Sequence, residues 1–199
     1  MKIIGLTGGI GMGKSTAAAT FRRAGIRVFD ADLAVHQLQA PRGRAVRAIG
    51  LRFPGAVVEG PEGRYVDRSR LRNLVLGRPD QLRALEGVLH PMVREAERDF
   101  VSRARRAGCR AVVLDIPLLL ETGGEKRVDI VVVVSAPRDV QIHRVRMRRR
   151  MSAAEITAVI ARQMPDREKR RRADVVIHTG LSRHHMQRSL RRLINSLIP

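Results

Sequence analysis

The feature that most restricts what this chain can become lies at its start. Gly8-Gly9-Ile10-Gly11-Met12-Gly13-Lys14-Ser15 follows the apolar run Lys2 to Leu6 and opens an alanine-rich segment that closes on Arg22 and Arg23. The pattern G-x-x-x-x-G-K-[ST], placed between a strand and a helix, forms a phosphate-binding loop. Its glycines let backbone N–H groups converge on phosphate oxygens, and the helix N-terminus adds its positive end. Gly9, Gly11, Met12, Gly13, Lys14, Ser15 and Thr16 are therefore the candidate ATP-binding residues. Within that set, Lys14 reaches the β- and γ-phosphates and the Ser15 hydroxyl is a candidate ligand for Mg²⁺. A dinucleotide-binding turn is excluded by register, since Gly9-x-Gly11 requires glycine where Lys14 stands. A guanine-reading [NT]KxD segment is missing, because the asparagines are only Asn73 and Asn195, and this points to ATP.

Gly25 ends the first helix, and Ile26 to Phe29 reads as a second strand running into Asp30 and Asp32. Strand, glycine turn, helix, strand is the opening of a parallel α/β sheet. Further apolar strands are expected at Ala111 to Leu114, Asp129 to Val134 and Val175 to Ile177, giving a sheet of about five strands covered on both faces. Two insertions interrupt this core. Residues 32–109 hold a helical stripe through Leu82, Leu85, Leu89, Ala96 and Phe100, in which Pro91 is expected to kink or break the helix near His90. Pro54 to Gly63 reads as a loop, and Gly108 as the end of the stripe. Residues 137–165 carry the capping-box pair Ser152 and Glu155, with Met151 and Ile156 spaced for the accompanying staple. A last helix starts near Ser182. The expected organisation is a nucleotide-binding core of residues 1–31, 110–136 and 166–199, a helical insertion 32–109 and a second insertion 137–165.

Charge narrows the partners. Against 19 acidic residues stand 39 basic ones, a formal +20 that is almost wholly arginine, and such a surface attracts phosphates and polyanions. Aromatic residues make up only 3%, too few for base-stacking platforms, so nonspecific polyanion binding is expected without specific recognition of nucleic acid. No apolar run approaches the roughly 20 residues that span a bilayer, and no secretory apolar region develops, so a cytoplasmic chain without a membrane segment is expected. The single cysteine, Cys109, excludes an internal disulfide framework.

A wider set of residues then comes into view: Gly5-Leu6-Thr7-Gly8-Gly9-Ile10-Gly11-x-Gly13-Lys14-Ser15, Asp30-Ala31-Asp32, His90-Pro91, Pro117-Leu118-Leu119, Gln163-Met164-Pro165 and Ala173-Asp174-x-Val176-Ile177. In that order, and over nearly the whole chain, they resemble the dephospho-coenzyme A kinases. The resemblance implies a P-loop three-layer fold with a helical CoA domain and a lid, the two insertions being their places. It implies transfer of the γ-phosphoryl group of ATP to the ribose 3′-hydroxyl of dephospho-CoA, the last step of coenzyme A synthesis, with Mg²⁺ as cofactor. Asp32, at the carboxyl edge of the sheet where open α/β folds bind ligands, matches the family's general base. Asp30 assists through Mg²⁺ or hydrogen bonds. Arg144 and Arg148 share a helix face, and Arg148 matches the lid arginine that neutralises the transferring group. Thr7, His90, Leu118 and Leu119 are placed on the acceptor side with Asp32.

Two departures stand out. Arg149-Arg150 replaces the usual Asp-Gly after the lid arginine, and His178-Thr179-Gly180 replaces an Asp-Asn turn that approaches adenine, which leaves the adenine contacts open. Asp115 ends its strand as a Walker-B-like acid does. A kinase of another small acceptor, such as a nucleoside monophosphate, and a nucleic-acid-dependent ATPase are the competing readings. A monomer or weak homo-oligomer is expected.

Overall fold

The computed structural model describes residues 1–149 and 152–197, without the side chains of Arg148, Arg149, Ala153 and Arg183. In chain order its elements begin with β1 (Lys2–Thr7), α1 (Lys14–Arg23), β2 (Arg27–Asp30), α2 (Ala31–Gln39), α3 (Ala45–Arg52), β3 (Val57–Val58) and β4 (Tyr65–Val66). There follow α4 (Arg68–Val75), α5 (Pro79–Arg106), β5 (Ala111–Asp115), β6 (Ile130–Ser135) and α6 (Arg138–Arg149). The chain closes with α7 (Ala153–Ala161), α8 (Asp166–Arg171), β7 (Val175–His178) and α9 (Arg183–Leu197). The elements form two compact units, residues 1–30 with 101–199, and residues 31–100.

The first unit is built on a five-stranded sheet in the order β2-β5-β1-β6-β7. Every adjacent pair is parallel. The apolar runs explain why. Along β6, Val132 and Val134 join the core packed under α1 and α9, whereas Val131 and Val133 point to the opposite face with Leu119 and Leu120. A strand whose alternate residues are buried on both sides has to lie inside a sheet covered twice. On the α1 side Phe21 is fully buried beside Met186, Leu190 and Ile194 of α9. Burying a side chain of that size contributes about 1.5–3 kcal/mol. Each strand expected from the sequence is present within a residue or two of its expected ends.

On the second face α8 is held by charge. Lys169 is 1% exposed, and its Nζ stands 2.7 Å from Glu121 Oε1. The same Glu121 oxygen accepts from the backbone N–H of Met164 at 3.0 Å, so one buried carboxylate fixes both α8 and the segment leading into it. Sequence periodicity did not reveal α8, because its residues Asp166–Arg171 carry no apolar stripe.

The second unit packs α2, α3, α4 and the start of α5 around Ile49, Phe53, Val66, Leu71, Leu85 and Leu89. Two expectations fail here. Pro54 to Gly63, read as loop, contributes Val57–Val58 to a small antiparallel hairpin with Tyr65–Val66. Pro91 also does not break the helix, since α5 runs through it from Pro79 to Arg106. The missing N–H costs one bond, to the carbonyl of residue 87. That residue is Gly87, and Leu85 and Leu89 stay buried against the unit's core. Gly108, at φ +69°, follows the helix end as expected.

Candidate active site

At the carboxyl edge of the first unit's sheet, β1 gives way to the glycine loop and the loop to α1. Gly13 caps α1 at φ +95° without a side-chain cap, so the first N–H groups of α1 have no capping side chain. A Cβ at Gly11, which has φ +75°, would come within 2.8 Å of the Gln141 carbonyl oxygen. Only glycine allows the loop to pass this close to α6. Ser15 is exposed at the helix start, with Thr16 half-buried beside it. Met12 has a different character. It is 3% exposed, and its sulfur accepts from the Ala136 N–H at 3.1 Å.

Lys14 Nζ donates to Asp115 Oδ1 at 2.6 Å. Asp115 is 4% exposed, at the end of β5, and pairs in register with Asp30 at the end of β2. Neighbouring parallel strands lie about 4.8 Å apart, so two carboxylates and one ammonium meet at this edge. Asp30 also approaches Arg22 Nη2 at 3.7 Å. This oxygen donor set of hydroxyl and carboxylates suits Mg²⁺, which binds through one or two carboxylates and the phosphates of its substrate.

Side chains on either side of residues 142–162 hold the loop from above. Gln141 Nε2, on α6, donates to the Ile10 carbonyl at 2.8 Å, and the Ile10 N–H donates to Gln163 Oε1 at 3.0 Å. The N–H and the carbonyl of one loop residue, in two successive peptide units, are thereby both fixed. On the other flank Thr179 Oγ1 donates to the Met12 carbonyl at 2.6 Å, while Arg144 donates to Thr179 Oγ1 at 3.0 Å and to its carbonyl at 2.6 Å. The turn that departs from the family pattern thus ties α6 to the phosphate loop. A Cβ at Gly180 would overlap the Pro137 ring, which accounts for glycine there. Beside the loop lies a cavity of about 640 Å³ lined by Gly9, Met12, Pro137, Gln141, Gln163 and His178. That volume is in the range of small-molecule sites.

The remaining expected residues separate. Thr7 is fully buried and donates to the Pro117 carbonyl at 2.9 Å. Leu119 is 0% exposed, packed against Leu120, Val131 and Val133, so its expected place at the acceptor is corrected: its side chain is core. Leu118 beside it is 42% exposed. Asp32 is exposed in the first turn of α2, and His90 is exposed on α5, both in the second unit. The Arg148 side chain lies outside the described residues, as does Met151 of the expected staple. The capping box itself is present, with Ser152 Oγ accepting from the Glu155 N–H at 3.3 Å and Glu155 Oε2 accepting from the Ser152 N–H at 2.8 Å. Sequence reasoning gave no role to Gln141, Gln163 or Thr179, although Gln163 lies in the quoted Gln-Met-Pro motif.

Comparison with known proteins agrees with this geometry. Residues 2–183 match the family model described as dephospho-CoA kinase. The dephospho-CoA kinase of Gluconobacter oxydans is 48% identical over 201 residues, covering 99% of this chain and 98% of the relative. That of Paramagnetospirillum magneticum is 55% identical over 170 residues, covering 85% and 78%. Among solved structures, the Thermus thermophilus protein TT1252 superposes with a TM-score of 0.85 at 37% identity, over 100% of this chain and 98% of its own. A phosphate loop at the head of a five-stranded parallel sheet, with a family match that runs almost from end to end, leads to one conclusion: the chain belongs to the dephospho-CoA kinase family.

Proposed function

We propose that the chain transfers the γ-phosphoryl group of ATP to the ribose 3′-hydroxyl of dephospho-CoA, giving coenzyme A and ADP. The observation that carries this reading is the complete phosphate loop within a family match over residues 2–183. The loop residues Gly9, Gly11, Met12, Gly13, Lys14, Ser15 and Thr16 cradle the triphosphate, and Lys14 exchanges Asp115 for the β- and γ-oxygens when ATP arrives. Arg144, already fixed to Thr179, borders the nucleotide from α6.

On the acceptor side, Asp32 orients the 3′-hydroxyl and takes its proton as the new P–O bond forms. A positioned base of this kind contributes about 10²- to 10⁴-fold in rate. His90 and Leu118 border the acceptor, and the buried Thr7 acts behind it by fixing the Pro117 carbonyl. Residues 137–165 act as the lid, which carries Arg148 to the transferring phosphoryl group and excludes water. Ser15 and Asp30 would hold Mg²⁺, which supplies neutralisation of charge across the β- and γ-phosphates. The formal +20 charge draws the polyanionic substrates to the surface and adds nonspecific retention on nucleic acid.

An acceptor panel tests the reading. ADP release coupled to a spectroscopic readout should show turnover with dephospho-CoA and little with AMP, CMP or shikimate. Faster turnover of any of the other three would overturn it.

A further inference from the structure

The peptide unit is planar and trans, so its C=O and N–H point to opposite sides, and a group that holds one of them aims the other. Two carbonyls of the phosphate loop are held by side chains from distant elements. Gln141 takes that of Ile10, and Thr179, between β7 and α9, takes that of Met12. The second contact is the shorter, at 2.6 Å, and Thr179 is 4% exposed. The N–H of the same peptide unit belongs to Gly13, the residue before Lys14. Glycine resists rotation of that unit less than any other residue, so its orientation has to be imposed from outside the loop.

Thr179 is itself firmly placed. Its N–H donates to the Ser135 carbonyl at 2.8 Å. A Cβ on Gly13 would stand 3.2 Å from Thr179 Oγ1 and 3.3 Å from its Cβ and Cγ2, so the side chain lies directly against the glycine. Arg144 donates to Oγ1 at 3.0 Å and to the Thr179 carbonyl at 2.6 Å. A guanidinium can only donate and a carbonyl can only accept, which fixes the direction of the chain of bonds. The single hydroxyl proton goes to the nearer carbonyl, Met12 at 2.6 Å, rather than to Ser135 at 3.4 Å. A hydroxyl that accepts from a cation donates more strongly, so the charge of Arg144 on α6 reinforces the grip on the loop.

We propose that Thr179 is a positioning residue for the phosphoryl donor. Its hydroxyl turns the Met12 carbonyl outward and thereby aims the Gly13 N–H at the phosphates, with Arg144 acting through it as well as beside the nucleotide. The inference rests on the reading of the loop as the ATP site. In this chain the turn at residues 178–180, where the sequence departs from the family pattern, therefore sets the shape of the phosphate loop. Without the hydroxyl the Met12–Gly13 unit is free to rotate, and one phosphate donor is lost from the cradle.

The sequence supplies a direct probe. Met12-Gly13 is its only Met-Gly pair, so ¹³C in methionine carbonyls and ¹⁵N in glycine give a single carbonyl-correlated amide resonance, that of Gly13. ATP should move this resonance downfield in the parent, and the movement should shrink in Thr179→Val. Equilibrium binding of ATP to Thr179→Val should be weaker by about tenfold, the worth of a lost hydrogen bond with its carbonyl left unsatisfied, while KM for dephospho-CoA at saturating ATP stays unchanged. Thr179→Ser, which keeps the hydroxyl, should restore both the affinity and the resonance. Thr179→Ala removes the hydroxyl without setting a methyl against the carbonyl, and takes the place of the valine variant if that one does not fold. An ATP Kd within about twofold of the parent, a loss of equal size in Thr179→Ser, an equal rise in KM for dephospho-CoA, or a Gly13 resonance that moves as in the parent overturns the proposal. A parent chain that does not bind ATP would instead overturn the reading of the loop, so the two failures are seen separately.

Discussion

The hold of Gln141 and Gln163 on Ile10 predicts an asymmetry between two substitutions that look alike. Gln163→Leu removes the acceptor for the Ile10 N–H and leaves a half-buried donor without a partner. The lost bond is worth about 0.5–1.5 kcal/mol, and the unsatisfied donor costs about 1–3 kcal/mol. Taken as a loss of loop geometry, this is about 10- to 100-fold in kcat/KM for ATP. Gln163→Glu keeps an oxygen facing that N–H. Gln141→Glu does the opposite, since it replaces the Nε2 donor with an oxygen aimed at the Ile10 carbonyl. Both glutamates bring the same negative charge toward the phosphates, so their difference isolates the hydrogen bonds. Measured by ADP release over a range of ATP concentrations, Gln141→Glu should fall about tenfold below Gln163→Glu. Equal losses in the two glutamate variants, or a Gln163→Leu enzyme within twofold of the parent, would refute the argument.

Two further outcomes follow from the same structure. Lys169→Met should lower the stability of the chain by about 3–5 kcal/mol in urea unfolding, because it strips the buried cation from Glu121; a loss below about 1 kcal/mol would show the pair to be dispensable. Raising ionic strength through the range where the Debye length falls below about 10 Å should raise KM for both polyanionic substrates, and a flat response would mark the charge excess as incidental.

What the sequence made legible follows a physical division. The strands of the main sheet were visible because runs such as Ile130–Ser135 are buried on both faces, and the phosphate loop because its glycines and Lys14 have few alternatives. The hairpin of Val57–Val58 with Tyr65–Val66 was not visible, since strands of two residues carry no alternation to read. Helix α8 escaped notice because its buried residue is a lysine, and burial by ion pair leaves no hydrophobic period. At the site, residue types announced who binds phosphate but not who holds the binder. The contacts of Gln141, Gln163 and Thr179 with the loop span 131, 153 and 167 positions of sequence, and only the fold brings them together. Leu119 was misread for a related reason: in Pro117-Leu118-Leu119 one leucine faces out and its neighbour in, which composition does not distinguish.

Labour in this enzyme is divided, with the loop binding ATP and Asp32 activating the sugar oxygen. Asp32→Asn tests it most directly, through kcat with dephospho-CoA and the Kd for ATP on the same preparation. The variant's kcat should be lower by about 10²- to 10⁴-fold with an unchanged Kd. A kcat within a few-fold of the parent would contradict it.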